Sequence, residues 1–320
     1  MEYTTLGASD VSVSRLCIGS LTVSPVQANL PPERAAEVLA YAFSRGVSFT
    51  DTAQYYENYP LIRRALALYK GDDVVISTKT YAYTREMAIE AVEEARRELN
   101  RDVIDIFMLH EQESYETLRG HREALEYLFE CKAKGIIRAV GASMHHVSAV
   151  EGVIELARRG VTLDVIHPIF NRGGYGIADG TIDDMQSAVS RAHDLGIGVF
   201  AMKVLGGGHL FREASEAFDF ALSKPYIDAI AVGMQSEAEI DANIAYFETR
   251  LFPDAAKAAL SEKTRRLHIE DYCEGCGACV SRCAQGALSV IDGHASVDME
   301  KCVLCGYCSR VCPLFAIKVL

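Results

Sequence analysis

Val74-Val75-Ile76-Ser77-Thr78-Lys79, then Arg85–Asn100, then Ile104-Asp105-Ile106-Phe107-Met108-Leu109-His110 make one complete strand–helix–strand unit. The outer runs are short and rich in apolar and β-branched residues, while Ala88, Ala91, Val92, Ala95 and Leu99 recur at helical spacing between them. The rhythm continues in both directions. Strands are predicted at Arg15–Ser20, Val47–Asp51, Val74–Lys79, Ile104–His110, Ile137–Ser143, Val165–Asn171, Gly198–Lys203 and Ile227–Gly233, with helices between them such as Pro32–Arg45, led by Pro31 and Pro32. Eight strands, each followed by a helix, predict an α/β fold of the (β/α)₈ TIM barrel type. An open doubly wound sheet fits less well, since no GxGxxG follows Cys17-Ile18-Gly19. Tyr3–Thr5 and Val11–Ser14 flank Gly7-Ala8-Ser9-Asp10 as a hairpin expected to cap the barrel bottom.

The 320 residues exceed the ~250 of such a barrel, and the cysteines locate the excess. Eight of the ten lie at the C-terminal end, as Cys273-x₂-Cys276-x₂-Cys279-x₃-Cys283 and Cys302-x₂-Cys305-x₂-Cys308-x₃-Cys312-Pro313. Domain limits of 1–252 and 253–320 follow, the second opening with a connecting helix expected over Asp254–His268. The two runs are copies of the pattern that holds [4Fe–4S] cubes, three thiolates gripping one cube and the fourth crossing to the other. That assigns Cys273, Cys276, Cys279 and Cys312 to one cluster, and Cys302, Cys305, Cys308 and Cys283 to the second. Structural zinc more commonly uses two pairs of cysteines than two runs of four, and disulfides suit a reduced compartment poorly. The tail resembles a two-cluster bacterial ferredoxin, a small α+β ferredoxin-like iron–sulfur domain, with Ala284 where the first run would usually carry proline.

Composition narrows the function classes. With 49% hydrophobic and 24% charged residues the chain has ample material for a core, so general disorder is excluded. No run nears the ~18 apolar residues of a membrane span, and the expected compartment is the cytoplasm. A net charge of −12 argues against nucleic acid as a partner. Eight acidic and eight basic side chains balance within residues 253–320, so the deficit belongs to the barrel. Anionic clusters would make the tail negative too, and a redox partner is expected to present a basic patch.

Asp51, Lys79 and His110 all stand at the C-terminal ends of predicted strands, and Tyr56 in the loop beyond Asp51, where barrel enzymes place their chemistry. Singly each has a bland reading as a helix cap or a solvated side chain. Together they resemble the Asp-Tyr-Lys-His tetrad of the aldo-keto reductase family, a likeness that covers roughly residues 1–250. The resemblance implies reduction of a small carbonyl substrate by NAD(P)H, with Tyr56 as proton donor, Lys79 favouring its phenolate, Asp51 holding Lys79, and His110 orienting the carbonyl. It also implies a cofactor site at Ser143, His167, Met202, Gly233, Ser236 and Asn243. Met144, His167 and Met202 depart from the residues common at their positions, which implies a loosened nicotinamide site. No Lys or Arg lies between Gly233 and Asn243, so NADH is favoured over NADPH.

Tyr81, Tyr83, Phe170, Tyr175 and the turns Gly173-Gly174 and Gly206-Gly207-Gly208 are candidate substrate walls. The expected function is an oxidoreductase that reduces an aldehyde or ketone and is coupled to electron transfer through its clusters. The competing expectation is an iron–sulfur electron-transfer or docking subunit whose barrel is a scaffold.

Overall fold

The computed structural model describes residues 1–71, 73–254 and 265–320. All eight predicted strands form: Leu16–Gly19, Phe49–Asp51, Val75–Thr80, Ile104–Gln112, Ile137–Met144, Val165–Pro168, Gly198–Ala201 and Ala229–Gly233. Each pairs in parallel with the next, and the last returns to the first with Val232 opposite Ile18, closing the barrel. Three C-terminal ends differ from the sequence reading by two residues or more. Val165–Pro168 stops short because proline has no N–H for the ladder, leaving one bridge from Ile169 to Met202. Gly198–Ala201 stops before Lys203, which adopts a left-handed φ of 56°. Ile104–Gln112 runs past His110 through an irregularity at Glu111, whose φ is 48°.

The helices begin and end where local chemistry dictates. Thr84 caps Arg85–Leu99 by accepting from the Met87 N–H, and Asn100 ends it in the left-handed conformation. The hairpin Tyr3–Thr5 with Ser12–Ser14 closes the barrel bottom, its Ala8 N–H donating to the Gly196 carbonyl. Leu6, Val11 and Val13 thereby join Phe49, Ile106, Met108 and Phe200 in the barrel interior. Each large side chain buried there contributes about 1.5–3 kcal/mol.

In the tail, Leu267–Ile269 pairs antiparallel with Ile317–Val319, and Leu288–Ile291 with His294–Val297. Most of the connecting helix expected over Asp254–His268 lies outside the described residues. At its C-terminal end Leu267 and His268 are strand instead, because Ile317–Val319 offers a ladder partner and Leu267 is buried. The internal repeat is visible in the backbone. Short helices Ala278–Arg282 and Tyr307–Arg310 follow Gly277 and Gly306, at φ of 76° and 77°. Cys283 and Cys312 each accept an amide from four residues on, Ala287 at 3.4 Å and Ala316 at 3.3 Å.

The tail is seated on the barrel's C-terminal mouth. The Val319 N–H donates to the Gly207 carbonyl at 2.9 Å, and His209 Nε2 stands 3.0 Å from the Ile317 carbonyl oxygen. Gly208 has a φ of 88°, and a Cβ there would stand 2.1 Å from the Val319 carbonyl oxygen, so only glycine allows this approach. Phe315 is buried within the barrel's main core. Phe315→Ala is expected to remove about 3–5 kcal/mol of docking energy. Amide exchange at Ile317–Val319 should then quicken at least tenfold while Ile104–Gln112 keeps its protection; equal protection at Ile317–Val319 in both proteins would contradict this.

Candidate active site and cluster-binding tail

Strand ends bring Asp51, Lys79 and His110 together at the barrel mouth. Lys79 is 1% exposed, and its Nζ donates to Asp51 Oδ2 at 2.8 Å and to the Thr52 carbonyl at 2.6 Å. Burial alone would raise the Asp51 carboxyl, but Lys79 and His167 overcome it and hold the group well below the usual carboxylate range. The turn Gln54–Tyr56 then separates the two tyrosines. Tyr55 points out and is 53% exposed, whereas Tyr56 turns inward, its ring centre 5.1 Å from Lys79 Nζ and 5.8 Å, edge to face, from that of His110.

The electrostatics differ in one respect from the expectation that Lys79 favours the phenolate. Burial pushes the Tyr56 phenol well above its ordinary value, and Asp51 and Glu111 push it further. Lys79 is already engaged by Asp51 and Thr52, so the phenol holds its proton. His110 is held far below the ordinary imidazole range by burial and then by Lys79, which leaves it neutral. One of its ring nitrogens, Nδ1, is buried without a hydrogen-bond partner among the described residues.

Around the tetrad runs a second polar network. Tyr81 stacks on His110 at 4.4 Å and donates to Glu111 Oε2 at 2.5 Å. His145 Nδ1 is 3.9 Å from Glu111, and its Nε2 is 2.9 Å from Lys203 Nζ. Sequence reasoning missed Glu111, His145 and Lys203, because the irregular strand end that turns Glu111 toward this group leaves no periodic signal.

A cleft of about 240 Å³ opens beside the tetrad, lined by Asp51, Tyr56, His167, Met202 and Gly233 among others. Of the six residues expected to hold a cofactor, His167, Met202 and Gly233 thus share this cleft. His167 stacks on Phe200 at 3.9 Å, with Nδ1 2.6 Å from the Phe200 carbonyl oxygen and Nε2 3.6 Å from Asp51. Ser143, Ser236 and Asn243 are not among the lining residues. The Ser143 hydroxyl accepts the Glu111 N–H at 2.9 Å, Ser236 caps the helix Glu237–Thr249, and Asn243 is buried on that helix.

One wall of the cleft comes from the tail, as Arg265, Lys318, Val319 and Leu320. Arg265 stands over the Phe211 ring at 4.2 Å and within the field of Glu239, a basic group at the cleft that the Gly233–Asn243 segment could not reveal. Of the candidate substrate walls, Phe170 is buried and stacks on Phe220 and Tyr175 stacks on His209 beneath Arg310, whereas Gly207 and Gly208 line the cleft and also receive the tail.

The cysteines fall into two sets. Cys283, Cys302, Cys305 and Cys308 line one small cavity, with Gly306 at its edge. Burial, then Cys305 and Cys302, push the Cys308 thiol up to about 12. Burial, then Cys312 and Cys273, raise Cys279. The fourth cysteine of each run thus stands with the other run. Cys276 is exposed, and none of the ten cysteines is in a disulfide. Among the described residues no three His, Cys, Asp or Glu side chains converge as a single ion requires; a four-iron cube instead needs thiolates spread around a void, which the second set provides. Tyr272, next to Cys273, lies within the fields of Cys312 and Glu111, so the first set adjoins the barrel mouth.

Residues 15–219 match the Aldo/keto reductase family, and residues 266–313 match the 4Fe-4S dicluster domain. Aldo-keto reductase YhdN of Bacillus subtilis is 24% identical over 186 residues, 53% of this chain and 54% of that protein. The chain therefore spans about half the length of that curated relative. Within the tail, 47 residues are 43% identical to a component of the ion-translocating oxidoreductase complex of Methanosarcina acetivorans, covering 15% of this chain and 18% of that protein. The solved structure of aldo-keto reductase AKR11C1 from Bacillus halodurans shares the barrel fold, with a TM-score of 0.65 at 19% identity over 82% of this chain and 96% of that one.

Proposed function

The chain belongs to the aldo/keto reductase family, here joined to a 4Fe-4S dicluster domain, and from that premise we propose that it is an oxidoreductase that reduces an aldehyde or ketone with NAD(P)H at the tetrad, with the tail as an electron port. The observation that carries this reading is the convergence of Asp51, Tyr56, Lys79 and His110 beside a cleft large enough to admit a ligand. When bound, the reduced nicotinamide would supply a hydride to the carbonyl carbon. Tyr56 gives its proton to the carbonyl oxygen. Neutral His110 holds that oxygen by a hydrogen bond, and the Asp51–Lys79 pair fixes the floor beneath Tyr56 and supplies a buried positive charge as the proton leaves.

His167, Met202 and Gly233 line the cleft and would hold the nucleotide there, while Ser143, Ser236 and Asn243 would shape its walls from behind. NADH remains favoured. Arg265 could meet a 2′-phosphate, but Glu239 beside it opposes one and suits a ribose diol. The eight tail cysteines would carry two [4Fe–4S] clusters, in the crossed sets Cys273, Cys276, Cys279, Cys312 and Cys302, Cys305, Cys308, Cys283. Those clusters would exchange single electrons with a partner bearing a basic patch, in the cytoplasm. No helix among the described residues is long and apolar enough to cross a membrane.

Reduction consumes the Tyr56 proton, and the group that carries it has a raised proton affinity. The protonated form therefore persists as pH rises, and kcat/KM for NADH-dependent aldehyde reduction is expected to stay level from about pH 6 to 9. Neutral His110 adds no limb in that window. A profile falling steeply through about pH 7 to 8 would contradict the assignment of these protonation states.

A further inference from the structure

Lys318 is 4% exposed, yet it lines the cleft from the tail side. Its Nζ donates to the Phe315 carbonyl and lies 3.4 Å from the centre of the Phe315 ring. Lys203, also on the cleft, places its Nζ 5.0 Å from the same ring centre. Two ammonium groups thus flank one aromatic ring, and among the described residues neither forms a salt bridge with a carboxylate. Glu270 lies within their field but is engaged by His268 at 3.3 Å and by Gln27 at 3.5 Å, Glu111 is engaged by Tyr81, and Cys312 acts on Lys318 alone. Burial draws both ammonium groups below their ordinary range, and Lys203 draws Lys318 further.

Buried cations without close counter-ions cost several kcal/mol, and a cleft that keeps two of them is suited to an anion. Its lining runs from the tetrad residues Asp51 and Tyr56 to Gln235 and Glu239, and Lys318 packs against Gly207. Resting on the reading of this cleft as a dinucleotide site, we propose that Lys318 is a dinucleotide-binding residue supplied by the iron–sulfur tail, receiving the diphosphate together with Lys203, so that the site is complete only with the tail docked. Affinity for the nucleotide then depends on a residue outside the barrel.

The test is calorimetric titration of the full-length, cluster-reconstituted protein with NADH and with ADP-ribose, which share the diphosphate. Lys318→Gln is expected to weaken both by at least about tenfold with iron content and visible absorbance unchanged, and Lys318→Arg to recover most of that loss. Affinities unchanged within about twofold in Lys318→Gln overturn the proposal and leave the dinucleotide reading standing. Weakening that comes with loss of iron in both variants assigns Lys318 to tail docking and also overturns it. Failure of the parent protein to bind either compound up to about millimolar concentration overturns both readings.

Discussion

Tyr56→Phe is expected to lower kcat for NAD(P)H-dependent carbonyl reduction by about 10²–10⁴-fold, the range of a positioned proton donor. The substitution removes one hydroxyl from a side chain that is half-buried against Lys79 and His110, and it leaves the ring contacts in place. Iron content and nucleotide affinity should therefore match the parent, which separates loss of chemistry from loss of fold. Tyr55→Phe is the matched control. Tyr55 is exposed and meets Tyr81 edge to face at 6.3 Å, so its hydroxyl has no route to the Asp51–Lys79 pair, and its loss should change turnover by less than about threefold. Undiminished turnover in Tyr56→Phe would remove Tyr56 from the proposed acid role.

The second large effect concerns the tail. Cys312→Ala is expected to reduce the iron of the reconstituted protein from about eight to about four atoms per chain. The cube lost would be the one whose other thiolates come from the first run, beside Tyr272 and the barrel mouth. Cys312 also accepts the Ala316 N–H and stands three residues before Phe315, the side chain buried in the barrel core. Its loss should therefore also quicken amide exchange at Ile317–Val319. Cys283→Ala is expected to lose the other cube and quicken that exchange less, because the cavity it lines with Cys302, Cys305 and Cys308 does not include Phe315 and reaches the strand Ile317–Val319 only through Leu267. Retention of about eight irons in either variant would contradict the crossed ligand sets.

Local signals made the barrel legible. Eight β-branched runs separated by helical periodicity have few ways to pack, and every strand formed, its C-terminal end displaced by two residues or more only where Pro168, Lys203 or Glu111 broke the ladder. The tetrad was legible for the same reason, since strand ends place side chains at the mouth. The cysteine spacing was legible because the backbone of a cluster loop is short and repeated, down to the paired left-handed glycines 277 and 306. What escaped the sequence lies between the two parts. Gly206-Gly207-Gly208 looks like an ordinary turn until Val319 is laid across it, and Arg265 looks like part of a connecting helix until it is placed over Phe211 at the cleft. Neither contact has a period. Each joins two segments more than fifty residues apart in the chain. The charge state of Tyr56 escaped for a related reason, because Glu111 and Tyr272 reach it only in the assembled mouth.

The most direct test of a working nucleotide site in this barrel is anaerobic titration of the cluster-reconstituted protein with NADH and NADPH, following nicotinamide fluorescence and cluster absorbance together. Saturable binding below about millimolar concentration, tighter for NADH, is the predicted result. Binding of neither nucleotide at that concentration would contradict the account and leave the barrel as a scaffold for an electron-transfer module.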